Sequence, residues 1–379
     1  MLSREQAYLL TLVRAALKGE SAPADEGCNM EEMCRLILKS GVSMTVFKQL
    51  PPTMQSALRA QTMSNVRQAM VQQADGEQVI KKLAGAGFAV LPLKGWEMRA
   101  LYPEALMRQM SDLDFLVKPY DYRRIRALME EMGYSAEKES SWKHDKFFKA
   151  STTVEMHKRL TDDSAAIRDW EARMDERKVC LEGNVYRMTN EDFYLFHFVH
   201  LHKDFMNGML GFKRILDTWL LQKTEKDDAL VRRELESMGL SLFHERMVTL
   251  SYAAMGEKEM DDNSLLLLEH ALRHGVYGSG ISYKAGRAAR LADGSLQKGR
   301  LRSVIAAVFL PFDRMKAHYP VLEKRPILLP WCWLKRIKSH LNGNLRQKWQ
   351  RMELKGLRQE DVDEMRRFFE AGGVKTGQE

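Results

Sequence analysis

Within residues 91–117, LPLKGWEMRALYPEALMRQMSDLDFLV, Asp112 and Asp114 stand one residue apart at the mouth of an apolar run. A carboxylate in a strand-like segment costs desolvation unless a partner compensates it. In an extended chain a period of two sends both aspartates to one face, roughly 7 Å apart along the backbone, and sends Leu113 and Phe115 to the other. The apolar pair can then enter a core while the carboxylates converge on shared cations. Further on, STTVEMHKRL alternates in the same way, with Val154 and Met156 inward and Glu155 and His157 on the opposite face. Three carboxylates on neighbouring strands would suit two-metal phosphoryl transfer, because magnesium takes hard oxygen ligands and ions about 3.5–4 Å apart share carboxylates. One ion then activates an attacking hydroxyl, and the other holds a triphosphate and offsets transition-state charge. The Lys94-Gly95 turn adds a backbone able to approach phosphate, a helix N-terminus and a cation, and Arg108 adds a second cation.

Other residue pairs carry weaker chemistry. Asp361 and Asp363 repeat the D-x-D spacing, but QEDVDEMRRFFE reads as a helix, where residues two apart diverge. His197 and His200 are three apart on a helix, yet FHFVHLH lacks the glutamate of a zinc-binding HExxH and reads as core or cleft histidine. His157, His202 and Lys203 are candidates for the acceptor side of a cleft. Arg214 and Asp217, at i and i+3, read as a helix-surface or interhelix ion pair. Trp331 and Trp333 beside Lys335 and Arg336 read as packing of a late helix, and the 24 methionines as core filler.

The elements that must position the carboxylates follow from periodicity and punctuation. Ser3 with Gln6 forms a capping box before a helical run, a second helix spans about Met30 to Ser40, and a long one runs from Pro51 to the glycines Gly85 and Gly87. FAVLPL is a strand, followed by the Lys94-Gly95 turn and a short helix to Tyr102. DLDFLV is a second strand, stopped by Pro119, which suits the first turn of the helix DYRRIRALMEEM closed by Gly133. HDKFFKA and STTVEMHKRL form an antiparallel hairpin. From about Asp162 the pattern returns to helices, among them NEDFYLFHFVHLHKDF, begun by Thr189 or Asn190, and GFKRILDTWLLQK. The proline-rich piece LPFDRMKAHYPVLEKRPILLPW interrupts them. This predicts an α+β protein: helical residues 1–87, a core at 88–160 and a helical region at 161–379.

Composition sets the outer bounds. The 379 residues are 45% hydrophobic and 29% charged, enough for a sizeable core. No run of about 18 apolar residues occurs, and Arg4 and Glu5 interrupt the start, so neither membrane insertion nor a signal peptide is expected and the cytoplasm is the expected location. Cys28, Cys34, Cys180 and Cys332 are scattered, with no CxxC pair, so the cysteines indicate neither a zinc site nor a disulfide scaffold. The net charge of +8 is compatible with an anionic ligand. Its excess in GRLRSVI and LKRIKSHLNGNLRQKWQRM reads first as solvated helix faces, with weak attraction to nucleic acid or acidic lipid as the second reading.

In their order, the K-G turn, the helix ending in Tyr-Pro, RQMSDLDFLV, a helix closed by Gly-Tyr, and VEMH resemble the uncharacterised nucleotidyltransferase family of the DNA polymerase β superfamily. HLHKDF, GFKRILDTW and HYPVLEKRPILLPW extend the resemblance into the helical half. It implies a small mixed sheet bearing a phosphate turn, a D-x-D and a third acidic residue. It implies also magnesium-dependent transfer of a nucleoside monophosphate from a nucleoside triphosphate (NTP), such as ATP, to a hydroxyl acceptor. Carried over, Gly95 matches the phosphate-turn glycine, Asp112 and Asp114 the metal pair, and Glu155 the third carboxylate, together holding two Mg2+ ions. Lys94 and Arg108 then face the triphosphate. Two departures stand out: Trp96 follows Gly95 where that superfamily has serine, and Glu155 stands where aspartate is usual. Trp96 keeps open a catalytically inactive nucleotide- or partner-binding relative. The basic late segments keep open an antitoxin-like or nucleic-acid-associated protein. The acceptor is not encoded in any motif.

Overall fold

A computed structural model of the chain describes residues 1–137, 143–160, 164–275, 280–291, 309–310, 312, 315–316, 319, 321–341 and 357–374. GRLRSVI, the NGNLRQKWQRM end of the second basic stretch, and parts of the proline-rich piece lie outside the described residues. The chain divides into two units, one of Met1–Leu201 with Gly211–Val276, the other of His202–Leu210 with Tyr277–Glu379.

The first unit opens with helices. α1 (Arg4–Lys18) starts at the Ser3–Gln6 capping box, which satisfies two of the backbone donors left free at a helix start, and ends at Gly19 in the left-handed region. α2 (Met30–Ser40) is capped by Asn29, α3 (Ser43–Val46) is short, and α4 (Pro52–Gly85) is the long helix expected from the sequence.

Among the described residues seven strands follow: β1 (Ala89–Pro92), β2 (Leu113–Lys118), β3 (Ser135–Ala136), β4 (His144–Lys149), β5 (Thr152–His157), β6 (Val179–Glu182) and β7 (Val185–Arg187). They form one sheet in the order β3-β4-β5-β2-β1-β7-β6. The β2–β5 and β1–β7 pairs are parallel, and the rest are antiparallel. Alternation works as expected: Leu113, Phe115 and Val117 of β2 and Val154 and Met156 of β5 pack with Val79 and Leu83 of α4. Ile125 and Met129 of α6 (Tyr122–Glu131) complete that core. One face of the sheet is thereby closed by helices, and the opposite face of β2 and β5 carries Asp114, Glu155 and His157.

Two expectations need correction. Residues after Asp162 are not helical throughout: beyond α7 (Ala165–Arg177), β6 and β7 make a hairpin whose second strand pairs with β1 through Val90 and Val185. The sequence hid them because β6 is exposed along its whole length, so no inward-facing apolar set marks it. Pro119 is not in the first turn of α6. That helix begins at Tyr122, with the Asp121 carboxylate accepting from the N–H groups of Arg123 and Arg124.

α8 (Asn190–Met206), α9 (Phe212–Gln222), α10 (Asp228–Ser237), α11 (Ser241–Ala254) and α12 (Asp262–His274) follow. The Thr189 hydroxyl receives the Asp192 N–H at 3.1 Å at the start of α8. The second unit takes the last turn of α8 from His202, together with α13 (Gly280–Leu291), α14 (Val321–Lys324), α15 (Leu329–Leu341) and α16 (Gln359–Ala371). Within it Phe205 stacks on Phe368 at 4.1 Å. Asp361 and Asp363 lie on α16, as the helical reading of that D-x-D requires. Among the described residues no helix is long and apolar enough to cross a membrane, and the four cysteines are free thiols.

Candidate active site

The parallel pairing of β2 with β5 sets Asp114 opposite Glu155 and Leu116 opposite His157. The antiparallel pairing of β4 with β5 sets Lys146 opposite Glu155 and His144 opposite His157. Cross-strand partners share a face, so three strands deliver Asp114, Glu155, His157, Lys146 and His144 to one patch. Asp112, one residue before β2, joins them. Oxygen atoms of Asp112, Asp114 and Glu155 lie within 4.8 Å of one another. An all-oxygen donor set of three carboxylates fits a hard divalent cation such as magnesium.

Two ammonium groups hold this negative charge together. Lys94 Nζ donates to Asp114 Oδ1 at 2.5 Å, and Lys146 Nζ donates to Glu155 Oε1. His157 Nε2 is 2.8 Å from Asp114 Oδ1, and the Ser111 hydroxyl donates to Asp112 at 2.7 Å. Burial alone would raise the pKa of Asp114, which is only 3% exposed, but Lys94 and His157 outweigh it and keep the carboxylate ionised far below its ordinary range. Asp112 moves the other way, raised by burial and by the charge of Asp114. Burial works to lower the Lys94 pKa, but Asp114, Asp112 and Glu155 prevail and raise it. Pairs of carboxylates driven apart in pKa within one patch are characteristic of functional sites.

The turn before this patch is tightly built. β1 ends at Pro92, and Lys94 takes φ 49°, ψ −114°, an uncommon conformation for a residue with a side chain. It leads into α5 (Gly95–Met98). A Cβ on Gly95 would lie 2.7 Å from both Arg108 Nη1 and Met110 Sδ, so only glycine lets the Arg108 guanidinium close over the turn. Trp96 points away, packing against Phe115 at 6.2 Å and against Gly76 in the middle of α4, where a Cβ would meet the indole at 2.3 Å. The indole thus packs on the core, and Trp96 supplies no hydroxyl at the turn.

Arg108 is held from behind. Its Nε and Nη2 both donate to Asp217 of α9 at 2.8 Å, and the Tyr102 hydroxyl donates to the same carboxylate at 2.9 Å. The ion pair expected between Arg214 and Asp217 is replaced by this buried arrangement: Asp217 is fully buried, and Arg108 drives its pKa down against the effect of burial. Sequence spacing favours an i, i+3 partner, whereas the bidentate geometry with Arg108 belongs to tertiary packing. Lys213, on the same helix, donates to the Gln109 carbonyl at 2.8 Å. Burial, with Arg108 nearby, lowers its pKa to about 7. No motif marked Lys213, Lys146 or His144; each enters through strand or helix packing.

The remaining candidates have other partners. His197 Nε2 is 2.8 Å from the Thr218 hydroxyl, and His200 Nδ1 receives Arg214 Nη2 at 3.0 Å. The two histidines thus serve α8–α9 packing, as expected of core or cleft residues. His202 and Lys203 fall in the second unit, where burial pushes the His202 pKa down to about 4. Trp331 is exposed with Lys335 over its ring at 5.3 Å, and Trp333 donates to the Leu310 carbonyl at 3.3 Å.

Comparison with known proteins gives one match. A family model described as "Uncharacterised nucleotidyltransferase" matches residues 28–256. Neither the curated proteins nor the solved structures yield a match. The matched span takes in every strand of the sheet, the three clustered carboxylates and the Arg108–Asp217 pair, and it covers well over half of the sequence: the chain belongs to that nucleotidyltransferase family.

Proposed function

We propose that this protein is a magnesium-dependent nucleotidyltransferase that moves a nucleoside monophosphate from an NTP to a hydroxyl acceptor. The observation that carries this reading is the convergence of Asp112, Asp114 and Glu155 oxygens within 4.8 Å on one sheet face, beside a strained Lys94-Gly95 turn.

In this reading Asp112, Asp114 and Glu155 hold two magnesium ions. Bound there, magnesium neutralises triphosphate charge and acidifies the acceptor hydroxyl. Glu155 takes the proton of the acceptor hydroxyl, and Lys146 on its Oε1 keeps the carboxylate ionised for that task. Gly95 presents the turn backbone to the phosphates, and Arg108, fixed by Asp217 and Tyr102, offers Nη1 over that turn. Lys94 exchanges Asp114 for a phosphate oxygen when the triphosphate enters. Lys213 adds positive charge near Asp112. His157, 2.8 Å from Asp114 Oδ1, is assigned to orienting that carboxylate and to the acceptor side of the first unit's own cluster. The core domain is assigned to residues 88–160 together with the β6–β7 hairpin that completes their sheet.

The test is pyrophosphate release and binding of each NTP, with and without Mg2+, in wild type, Asp112→Asn and Asp114→Asn. Mg2+-dependent binding in wild type that both variants lose supports the assignment; retained turnover in Asp114→Asn sinks it. The orientation of Trp96 favours one alternative, a nucleotide-binding relative without turnover, since the turn has no hydroxyl to offer phosphate. Binding without any pyrophosphate release across an acceptor screen would select it.

A further inference from the structure

Beside the oxygen-lined cluster lies a second donor set of different chemistry. Ligand atoms of His144, Glu155 and His157 lie within 4.8 Å of one another. Glu155 divides its two oxygens between partners: Oε1 receives Lys146, while Oε2 is 3.6 Å from His157 Nε2 and 3.8 Å from His144 Nε2. Bonds of about 2.0–2.2 Å to a tetrahedral ion place ligand atoms about 3.3–3.6 Å apart, close to the two imidazole–carboxylate distances found here. The rings are tilted at 48° with centroids 5.2 Å apart, and His157 Nε2, now 2.8 Å from Asp114 Oδ1, would give up that contact to bind the ion. The Nδ1 atom of each ring is buried and makes no hydrogen bond, so the polar contacts of both imidazoles lie on the Nε2 side. Register sets His144 directly across from His157 on β4 and β5.

Imidazole nitrogen is a poor ligand for magnesium and a good one for zinc, cobalt and iron. We propose that His144, His157 and Glu155 Oε2 form a binding site for a divalent transition-metal ion of the zinc class, adjoining the magnesium carboxylates and sharing Glu155 with them. It rests on the proposed nucleotidyltransferase reading only through that shared carboxylate. Two histidines and one glutamate leave a fourth position for water or a substrate oxygen, so the site would add a metal-held oxygen ligand next to the triphosphate cluster.

The probe is Co2+, added to the full-length protein in the presence of excess Mg2+ and followed by equilibrium dialysis and visible absorption. The expected result is one Co2+ per chain that Mg2+ does not displace, with affinity reduced at least about 10-fold in His144→Ala and in His157→Ala. His144→Gln, at a partly exposed strand position, guards against loss of fold, checked by circular dichroism. In wild type loaded with Co2+, two exchangeable, paramagnetically shifted imidazole N–H signals are expected, one from each Nδ1–H. Equal Co2+ binding by wild type and the histidine variants, displacement by Mg2+, or absence of the shifted signals would overturn the site. Mg2+-dependent NTP binding is measured in parallel on wild type. If that binding fails while Co2+ still engages both histidines, the nucleotidyltransferase reading falls and this site stands. If NTP binds and Co2+ ignores the histidines, the reverse holds.

Discussion

Asp114 and Glu155 stand opposite one another in register on the parallel strands β2 and β5, each tied to its own lysine, Lys94 and Lys146. The sheet thus holds two carboxylates close together by giving each a counter-charge that a bound cation could replace. A buried charge stripped of its partner is costly, about 3–5 kcal/mol. Asp114→Asn alone should therefore lower stability by taking from the half-buried Lys94 its nearest counter-ion, and should abolish Mg2+-dependent NTP binding. Adding Lys94→Met should recover stability but not binding. Urea unfolding of the two single variants and the double variant beside NTP titrations separates these effects, and a double variant no more stable than Asp114→Asn would contradict the pairing.

Arg108 and Asp217 make the second buried pair, 109 residues apart in sequence. Asp217→Ala should destabilise the first unit by about 3–5 kcal/mol, since it leaves both Arg108 and the Tyr102 hydroxyl without their acceptor. Where the variant remains folded, its KM for NTP should rise more than its kcat falls, because Arg108 is freed from its place over Gly95. An unchanged denaturation midpoint would show that the pair is not buried in solution.

Gly95→Ala tests the turn directly. Its new methyl would sit 2.7 Å from Arg108 Nη1 and Met110 Sδ, so Arg108 must withdraw. NTP binding should weaken by roughly tenfold, about 1.4 kcal/mol, with little change in circular dichroism. Gly76→Ala should act at a distance by pushing Trp96 out of its niche, read as a change in tryptophan fluorescence.

Three histidines, the buried His197 and the half-buried His202 and His244, bear on the acid limb of stability. Burial lowers the pKa of His197 to about 3 and of His202 and His244 to about 4. In the unfolded chain each titrates near its ordinary value of about 6.5. Their folded pKa values are depressed, so their stabilising contribution is present above about pH 6.5 and is lost as pH falls toward 4, by up to about 1.4 kcal/mol per pH unit for each group. Asp217, also depressed, contributes above the ordinary aspartate range and loses its contribution only below it. Thermal unfolding between pH 7.5 and 4.5 should show a steady decline; a flat profile would mean that the histidines are hydrated.

Lys213 gives a pH signature in binding. With its pKa lowered to about 7, it carries charge chiefly below that pH. NTP affinity should decline as pH rises from about 6.5 to 8.5, with proton uptake on binding above pH 7. Lys213→Met should flatten this dependence while lowering affinity at pH 6.5. A wild-type profile as flat as the variant's would remove Lys213 from the site.

Much of this chain was legible from local rules. Period-two alternation put Asp112 and Asp114 opposite Leu113 and Phe115, the same rule selected Glu155 and His157, and capping and glycine signals bounded α1, α2 and α4. These features depend on neighbours within a few residues, and the backbone's two periods encode them directly. The family resemblance rests on that local pattern as well. Other features were settled by pairing at long range. The β2–β5 register placed Asp114 against Glu155 and not one residue away, and the β4–β5 register brought in His144 and Lys146. Packing of α9 gave Asp217 to Arg108 in place of Arg214, and it brought Lys213 to the Gln109 carbonyl. The exposed β6–β7 hairpin acquired its place from hydrogen bonding to β1. A strand's own sequence fixes which side chains share a face, but partner and register follow from burial and ladder hydrogen bonds summed over the whole sheet, which no single segment contains.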